Sequence, residues 1–442
     1  MKTRNTLKGI FWIALYVVFS LAPLSLMLFG ERPMGREFWR EFSVALGFVG
    51  IAMTTLQFVL TARIAAIKSP YGSDVVYYFH HHISLVTFAL WLAHPLILFI
   101  QFPGTRQLLN LITAPWRARA GVTSVIVLIA LIVISVWRRQ LKIEYVRWRI
   151  WHGILATLAL ILVMVHIYLV GRYVGTPFKQ ALWLGYGGIC VLLVAYVRVI
   201  NPYLISRRPY EVVEVRPERG AVWSLALRPV GHQGMRFQPG QFAWLTAWNS
   251  AFSDREHPFS FSSSAENPEQ VEFAIKELGD FTSTIKDLKP GQHVYLDGPY
   301  GAFSVDRQAK AQEIVLIAGG IGISPIMSTL RTLAERGDGR PLLLIYGNRT
   351  WEEVSFREEL ELLQEHLDLR VVHVLEKPPK GWEGEVGFVT AEMLDRYLPA
   401  DRRRVEAVFV CGPPPMMNAV EAALLKLDVP LRAIHMERFD LA

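Results

Sequence analysis

A chain of 442 residues, 52% hydrophobic with a formal net charge of +7, is long enough for several domains. Its two cysteines, Cys190 and Cys411, exclude a disulfide framework and a four-thiolate iron–sulfur cluster. The second half has no basic-aromatic stripe, which argues against a nucleic-acid partner, and the positive balance suits loops that meet anionic lipid headgroups.

Apolar residues crowd into the first 200 positions. Six runs there are long enough to cross a bilayer: about 9–30, 42–62, 76–102, 121–137, 149–170 and 181–200. The first follows Lys2, Arg4 and Lys8 as a signal peptide would. It lacks an A-x-A cleavage site and five more spans follow, so it reads as a retained helix. An even number of spans puts both termini on one side. Lys and Arg number 3, 2 and 5 on the N-terminal side and 3, 3 and 2 on the other, a weak bias toward a cytoplasmic N-terminus.

His80 and His94 lie fourteen residues apart on the third run, and His152 and His166 lie fourteen apart on the fifth. Fourteen residues is nearly four helical turns, so each pair shares a face with its members about 21 Å apart along the axis. Ionisable residues inside hydrocarbon are costly and point to function. Two such helices side by side match two haems stacked across the bilayer, each iron taking one imidazole from each helix. Within the run His80-His81-His82, His80 reproduces the fourteen-residue interval and His81 gives thirteen. Phe88, between the two ligand positions, is either a ring between the haems or a packing aromatic. Arg138, Arg139, Arg147 and Arg149 on one side, and Arg106, Arg117, Arg119 and Arg172 on the other, are available to propionates.

Past Asn201-Pro202 the rhythm changes to short alternating runs, YEVVEV, VWSLALRP, QFAWLTAW, VEFAIKEL and HVYLDGP, punctuated by Gly and Pro. They predict a small antiparallel barrel over 206–306. From 313 strand alternates with helix, which predicts a parallel sheet covered on both faces over 307–442. Gly319, Gly320, Gly322 and Ser324 fall between the strand IVLI and an amphipathic helix, where a pyrophosphate can approach the backbone at a helix N-terminus. Arg349 follows the strand LLLIYGN, where a 2′-phosphate would need a cation. A solvated loop arginine is the other reading.

The barrel-then-nucleotide-fold order resembles the ferredoxin-reductase superfamily. His257-Pro258-Phe259-Ser260, at the end of a strand, is similar to its flavin signature, which implies the Ser260 hydroxyl near the flavin N5. Gly279-Asp280-Phe281-Thr282 is similar to its pyrophosphate segment. Gly279 would let the chain approach the phosphates, and the turn after it would aim N–H groups at them. Cys411-Gly412-Pro413-Pro414 is similar to the second nicotinamide-side loop, which makes Ser260 and Cys411 the candidate catalytic residues. Relatives place an aromatic residue against the flavin near the C-terminus, and Phe439 is the candidate.

Six spans with paired histidines on the third and fifth, joined to this module, resemble the ferric reductase and NADPH oxidase superfamily over essentially the whole chain. The expected architecture is a membrane all-α six-helix bundle over 1–205, an antiparallel β-barrel FAD domain over 206–306 and an α/β NAD(P)-binding domain over 307–442. The resemblance implies FAD, two b-type haems and NADPH, with NADH possible. It places the dehydrogenase in the cytoplasm and the chain, multi-pass, in the inner (plasma) membrane. His80 and His152 then lie toward the cytoplasm. The expected function is electron transfer from NADPH to an acceptor outside. Ferric chelate is preferred over O2, because Leu98 stands where oxidases often carry a further histidine, four residues after His94. A haem relay to a periplasmic partner protein is the third reading.

Overall fold

The computed structural model describes residues 2–27, 29, 34–63, 73–248, 250–402 and 405–438. The chain forms two compact units: residues 1–71 with 75–201, and residues 202–442 with 72–74.

The first unit is helical. Helices α1 (Lys2–Met27), α2 (Phe38–Thr61), α3 (Ser73–Gln101), α4 (Trp116–Val136), α5 (Tyr145–Val170) and α6 (Pro177–Ala195) carry all six expected spans. Each holds an uninterrupted apolar stretch long enough for the hydrocarbon layer, which makes this a multi-pass membrane protein. Their ends are set locally. Gly171 caps α5 in the left-handed conformation, and Thr176 caps α6 by accepting from the Lys179 N–H. α6 runs on through a π turn, Tyr196–Ile200, into a short helix α7 (Asn201–Ser206). The bundle core is apolar, built on Phe48, Ile51, Ala52, Trp91, Leu160 and Trp183. Phe88 packs against that core.

The second unit has two sheets. Strands β1 (Tyr210–Glu218), β2 (Val222–Pro229), β3 (Phe242–Thr246), β4 (Glu256–Ser260), β5 (Val271–Lys276) and β6 (His293–Tyr300) pair antiparallel in the order β4-β3-β6-β1-β2-β5. The sheet curls closed where Phe261, just past β4, bridges Phe273 of β5 and the Ser262 N–H donates to the Glu272 carbonyl at 2.7 Å. Closure surrounds a core of Phe261, Phe273, Leu225, Leu245 and Ile275, all essentially fully buried.

Strands β7 (Ile314–Gly319), β8 (Leu342–Asn348), β9 (Leu369–Leu375), β10 (Glu385–Val386), β11 (Val408–Cys411) and β12 (Ile434–Met436) pair parallel throughout, in the order β10-β9-β8-β7-β11-β12. One face of this sheet packs on α8 (Ile323–Glu335) and α9 (Arg357–His366), the other on α10 (Ala391–Tyr397) and α11 (Pro414–Lys426). The near-continuous apolar runs of β7 and β8 follow from burial on both faces.

Candidate functional site

The membrane unit brings the four expected ligands together in two pairs. The rings of His80 (α3) and His152 (α5) have centroids 6.3 Å apart at an interplanar angle of 64°. Those of His94 (α3) and His166 (α5) are 6.4 Å apart at 65°. His81 and His82 are exposed, and the Nδ1 of His82 bonds back to the Tyr78 carbonyl at 2.9 Å. His80 is thus the member of the run that faces α5.

Each imidazole is held at Nδ1. His94 reaches the Ser43 carbonyl (3.0 Å) and His166 the Arg117 carbonyl (2.7 Å). A carbonyl only accepts, so both rings donate. His80 reaches Gln57 Oε1 at 2.9 Å, while Gln57 Nε2 donates to Tyr16 Oη (3.1 Å) and the Met53 carbonyl (3.3 Å). His152 reaches Ser135 Oγ at 3.0 Å. That hydroxyl gives its one proton to the Leu131 carbonyl (2.7 Å) and also accepts from Trp148 Nε1 (3.3 Å). All four rings therefore carry the proton on Nδ1 when neutral, which leaves Nε2 with its lone pair for a ligand.

The dimensions fit a metal between the rings. An imidazole nitrogen lies about 2.0–2.1 Å from a first-row metal such as zinc and the ring centre roughly 1.1 Å behind it, so two rings on opposite sides of one ion have centres about 6.3 Å apart. Two imidazoles leave the other coordination positions to a macrocycle, as haem requires. Glycines give the rings room. A Cβ on Gly121 would lie 2.6 Å from His166 Nδ1, and one on Gly47 would lie 3.5 Å from His94 Cγ.

The expected propionate cations differ in availability. Arg106 donates to the Phe99 carbonyl, Arg119 to the Ala114 and Ile112 carbonyls, and Arg172 to the Met34 carbonyl. Arg117 is exposed, and among the described residues its side chain makes no hydrogen bond or ion pair. At the other end Arg138 lies over the rings of Tyr145 and Trp148, and Arg147 pairs with Glu144.

In the second unit His257-Pro258-Phe259-Ser260 makes up the last four residues of β4, and β4 is the first strand of the antiparallel order, where Pro258 is tolerated. His257 stacks on Phe281 at 4.1 Å, and Phe259 lies 6.1 Å from the same ring. The Ser260 carbonyl accepts from Ser324 Oγ at 3.1 Å, which ties this strand to the turn after β7. Gly279 has open space where a Cβ would go. The turn after it is a 3-10 helix, Thr282–Asp287, and Thr282 Oγ1 accepts from the N–H groups of Leu278 (2.8 Å) and Gly279 (3.0 Å). Thr282 thus shapes the loop from inside. The N–H groups of Asp280 and Phe281 have no protein acceptor among the described residues.

The strand order of the parallel sheet reverses at β7 and β11, the switch point where such sheets bind nucleotides. Two of the expected glycine-bearing turns meet there. A Cβ on Gly319 would lie 2.3 Å from Met416 Sδ, one on Gly322 2.2 Å from the Cys411 carbonyl oxygen, and one on Gly412 3.1 Å from Gly319 Cα. Gly322 is the one that the packing of turn on turn requires, since its obstacles are main chain; Gly319 and Gly412 are in tight contact with the segment opposite. Gly320 has a positive φ of 51° and open space around it. Cys411 is buried, and desolvation, then the Glu437 carboxylate, pushes its thiol up to about 12. It is a neutral group at physiological pH, not a thiolate. Arg349 is exposed just past β8, at the same edge of the sheet as the glycine turn. Phe439 lies outside the described residues.

The four Nδ1 partners escape sequence reasoning in part. Gln57 and Ser135 are polar letters in apolar helices, a readable signal, whereas the Ser43 and Arg117 carbonyls leave none.

A nucleotide-type switch point beside a flavin-type barrel, carried on a chain with six apolar helices, defines a membrane-bound oxidoreductase with FAD- and NAD-binding domains. Residues 46–163 match the ferric reductase like transmembrane component, residues 211–304 an FAD-binding domain and residues 316–422 an oxidoreductase NAD-binding domain. In this order the three domains match a fusion of the ferric reductase and NADPH oxidase type. It is 36% identical over 164 residues to NADH-cytochrome b5 reductase 1 of Pyricularia oryzae, covering 36% of this chain and 52% of that one. It is 32% identical over 238 residues to the reductase component of propane 2-monooxygenase of Mycolicibacterium goodii, covering 52% and 66%. The chain thus spans about half to two thirds of the length of these relatives. Among solved structures, the ferredoxin reductase in carbazole 1,9a-dioxygenase is 28% identical, with 52% of this chain and 69% of that one covered and a TM-score of 0.46.

Proposed function

We propose that the protein carries electrons from cytosolic NADPH across the inner (plasma) membrane to an acceptor outside, a ferric chelate in the first reading and O2 in the second. The observation that carries this is the pair of histidine pairs, alike in spacing and angle, with every Nδ1 committed to a hydrogen bond and so every Nε2 left with its lone pair. When bound, FAD turns a hydride into single electrons, and two b-type haems supply single-electron stations through the apolar bundle.

The chain's own residues do the positioning. His80 and His152 would hold the haem nearer the cytoplasm, and His94 and His166 the outer one. His257, Pro258, Phe259 and Ser260 would line the flavin, and the N–H groups of Asp280 and Phe281, between Gly279 and Thr282, would face its phosphates. Gly319, Gly320, Gly322 and Ser324 would receive the NADPH pyrophosphate, and Cys411 and Gly412 the nicotinamide side. Because the Cys411 thiol stays protonated, its part is contact and exclusion of water rather than attack.

Arg349 would read the 2′-phosphate. Arg349→Ala is expected to raise the KM for NADPH about 10- to 150-fold and leave NADH nearly untouched, since a hydrogen bond to a charged group contributes about 1.5–3 kcal/mol. Steady-state kinetics with both nucleotides checks this. An equal effect on both would make the residue structural. The relative from Pyricularia oryzae is an NADH-cytochrome b5 reductase, so NADH is the second reading.

The acceptor is tested by measuring ferrous iron and superoxide side by side. Arg117 offers a free guanidinium beside the His94–His166 pair, and its carbonyl holds His166. An anionic ferric chelate is drawn to such a cation and neutral O2 is not. The ferric rate should fall as rising salt shortens screening to about 8–10 Å, and Arg117→Gln should lower it several-fold while the oxygen rate stays flat. Dominant superoxide production indifferent to Arg117 would move the protein to the oxidase reading.

A further inference from the structure

The two histidine pairs differ in what holds them. His94 and His166 donate to main-chain carbonyls, which no substitution removes. His80 and His152 donate to side chains, Gln57 Oε1 and Ser135 Oγ. Both acceptors are fixed from behind. Gln57 is buried on α2 and anchored by its amide N–H to the Met53 carbonyl and Tyr16 of α1. Ser135 on α4 is locked by the Leu131 carbonyl and Trp148. Each side chain meets the pair through the Nδ1 of one imidazole.

An imidazole that donates Nδ1–H to a well-placed acceptor becomes a more basic ligand at Nε2, and a more basic ligand favours the oxidised metal. We infer that Gln57 and Ser135 are positioning residues that set the reduction potential of the His80–His152 site independently of the His94–His166 site. This rests on the reading that the four histidines hold haem iron. Two stations in series need an ordering of potentials, and this arrangement lets one of them be tuned by side chains while the other is held by the backbone.

The test is a redox titration of the purified full-length protein, following the haem absorbance of wild type, Gln57→Leu, Gln57→Glu and Ser135→Ala. Gln57→Leu and Ser135→Ala should each raise one midpoint, with about a tenfold change in the reduced-to-oxidised ratio, or about 59 mV for one electron. Gln57→Glu, an anionic acceptor, should lower the same midpoint, and the other midpoint should stay in place in all three. If Gln57→Leu does not fold, Gln57→Glu and Ser135→Ala decide alone. Variants that keep two haems with both midpoints unmoved, or with both shifted together, overturn the inference. A wild type with fewer than two low-spin haems overturns the ligation reading itself, before any variant is compared.

Discussion

Replacing His166 by alanine should leave the protein with one low-spin haem in place of two. Replacing His94 should do the same, and the double variant should look no different from either single one. Each ring is half of one two-imidazole site, and the partner ring is 6.4 Å away with nothing else placed to substitute for it among the described residues. Losing a residue that merely orients a metal ligand costs about 10- to 100-fold in metal affinity, and losing the ligand removes more. The His80–His152 site lies about four turns away with its own supports, so it should survive. The count of extractable haem and the low-spin electron paramagnetic resonance signals read this directly. Reduction of the outer acceptor should fall by more than about a hundredfold, while NADPH-driven reduction of a soluble dye persists. Gly121→Ala approaches the same site from behind. Its Cβ would lie 2.6 Å from His166 Nδ1, where the Arg117 carbonyl now accepts, and it should loosen that haem with His166 still present. A double His94/His166 variant that retains two haems would refute the assignment of these ligands.

Much of this was legible because the signals are periodic. A bilayer demands long apolar helices and a doubly covered sheet demands apolar strands, so the spans and β7, β8 and β11 stand out from composition alone. The matched fourteen-residue intervals are legible for the same reason, since helical pitch converts spacing into a shared face. What stayed hidden depends on how one element is rotated against another. Whether His80 or His81 faces α5 is settled by the roll of α3, which no local pattern encodes. The two carbonyl acceptors are main chain and carry no letter. The flavin-signature segment was legible as a strand end, but its pairing was not, because β4 alternates nothing and only its register with β3 places it in the sheet. Cys411 looks like a catalytic thiol by type, and only its burial beside Glu437 shows it to be neutral. The glycines after β7 and β11 look alike in sequence, yet three meet another turn and one faces open space.

That last distinction yields a second strong expectation. Gly322→Ala should cripple nicotinamide use by forcing two turns apart, whereas Gly320→Asn should leave the packing of those turns intact. A Cβ on Gly322 would sit 2.2 Å from the Cys411 carbonyl oxygen and 2.7 Å from the Gly412 nitrogen. Both obstacles are main chain, so no side chain can swing aside, and the turns after β7 and β11 must part. Overpacking of this kind costs about 1–3 kcal/mol, which if borne by the NADPH-bound state lowers kcat/KM for NADPH about 5- to 150-fold. Gly320 poses the opposite problem: its φ of 51° is unusual for an L-residue, but nothing lies within 4 Å of its Cβ position. Asparagine visits that region readily, so the turn should keep its shape, and a side chain in that open space should weaken NADPH only by standing where the pyrophosphate would lie. Stopped-flow reduction of the bound flavin by NADPH separates the two cases, and flavin content serves as the control. Flavin should remain bound in both, because the barrel is closed around its own core of Phe261, Phe273 and Leu245. Wild-type kinetics in Gly322→Ala would mean that the two turns are free to separate, and that their contact does not shape the nicotinamide site.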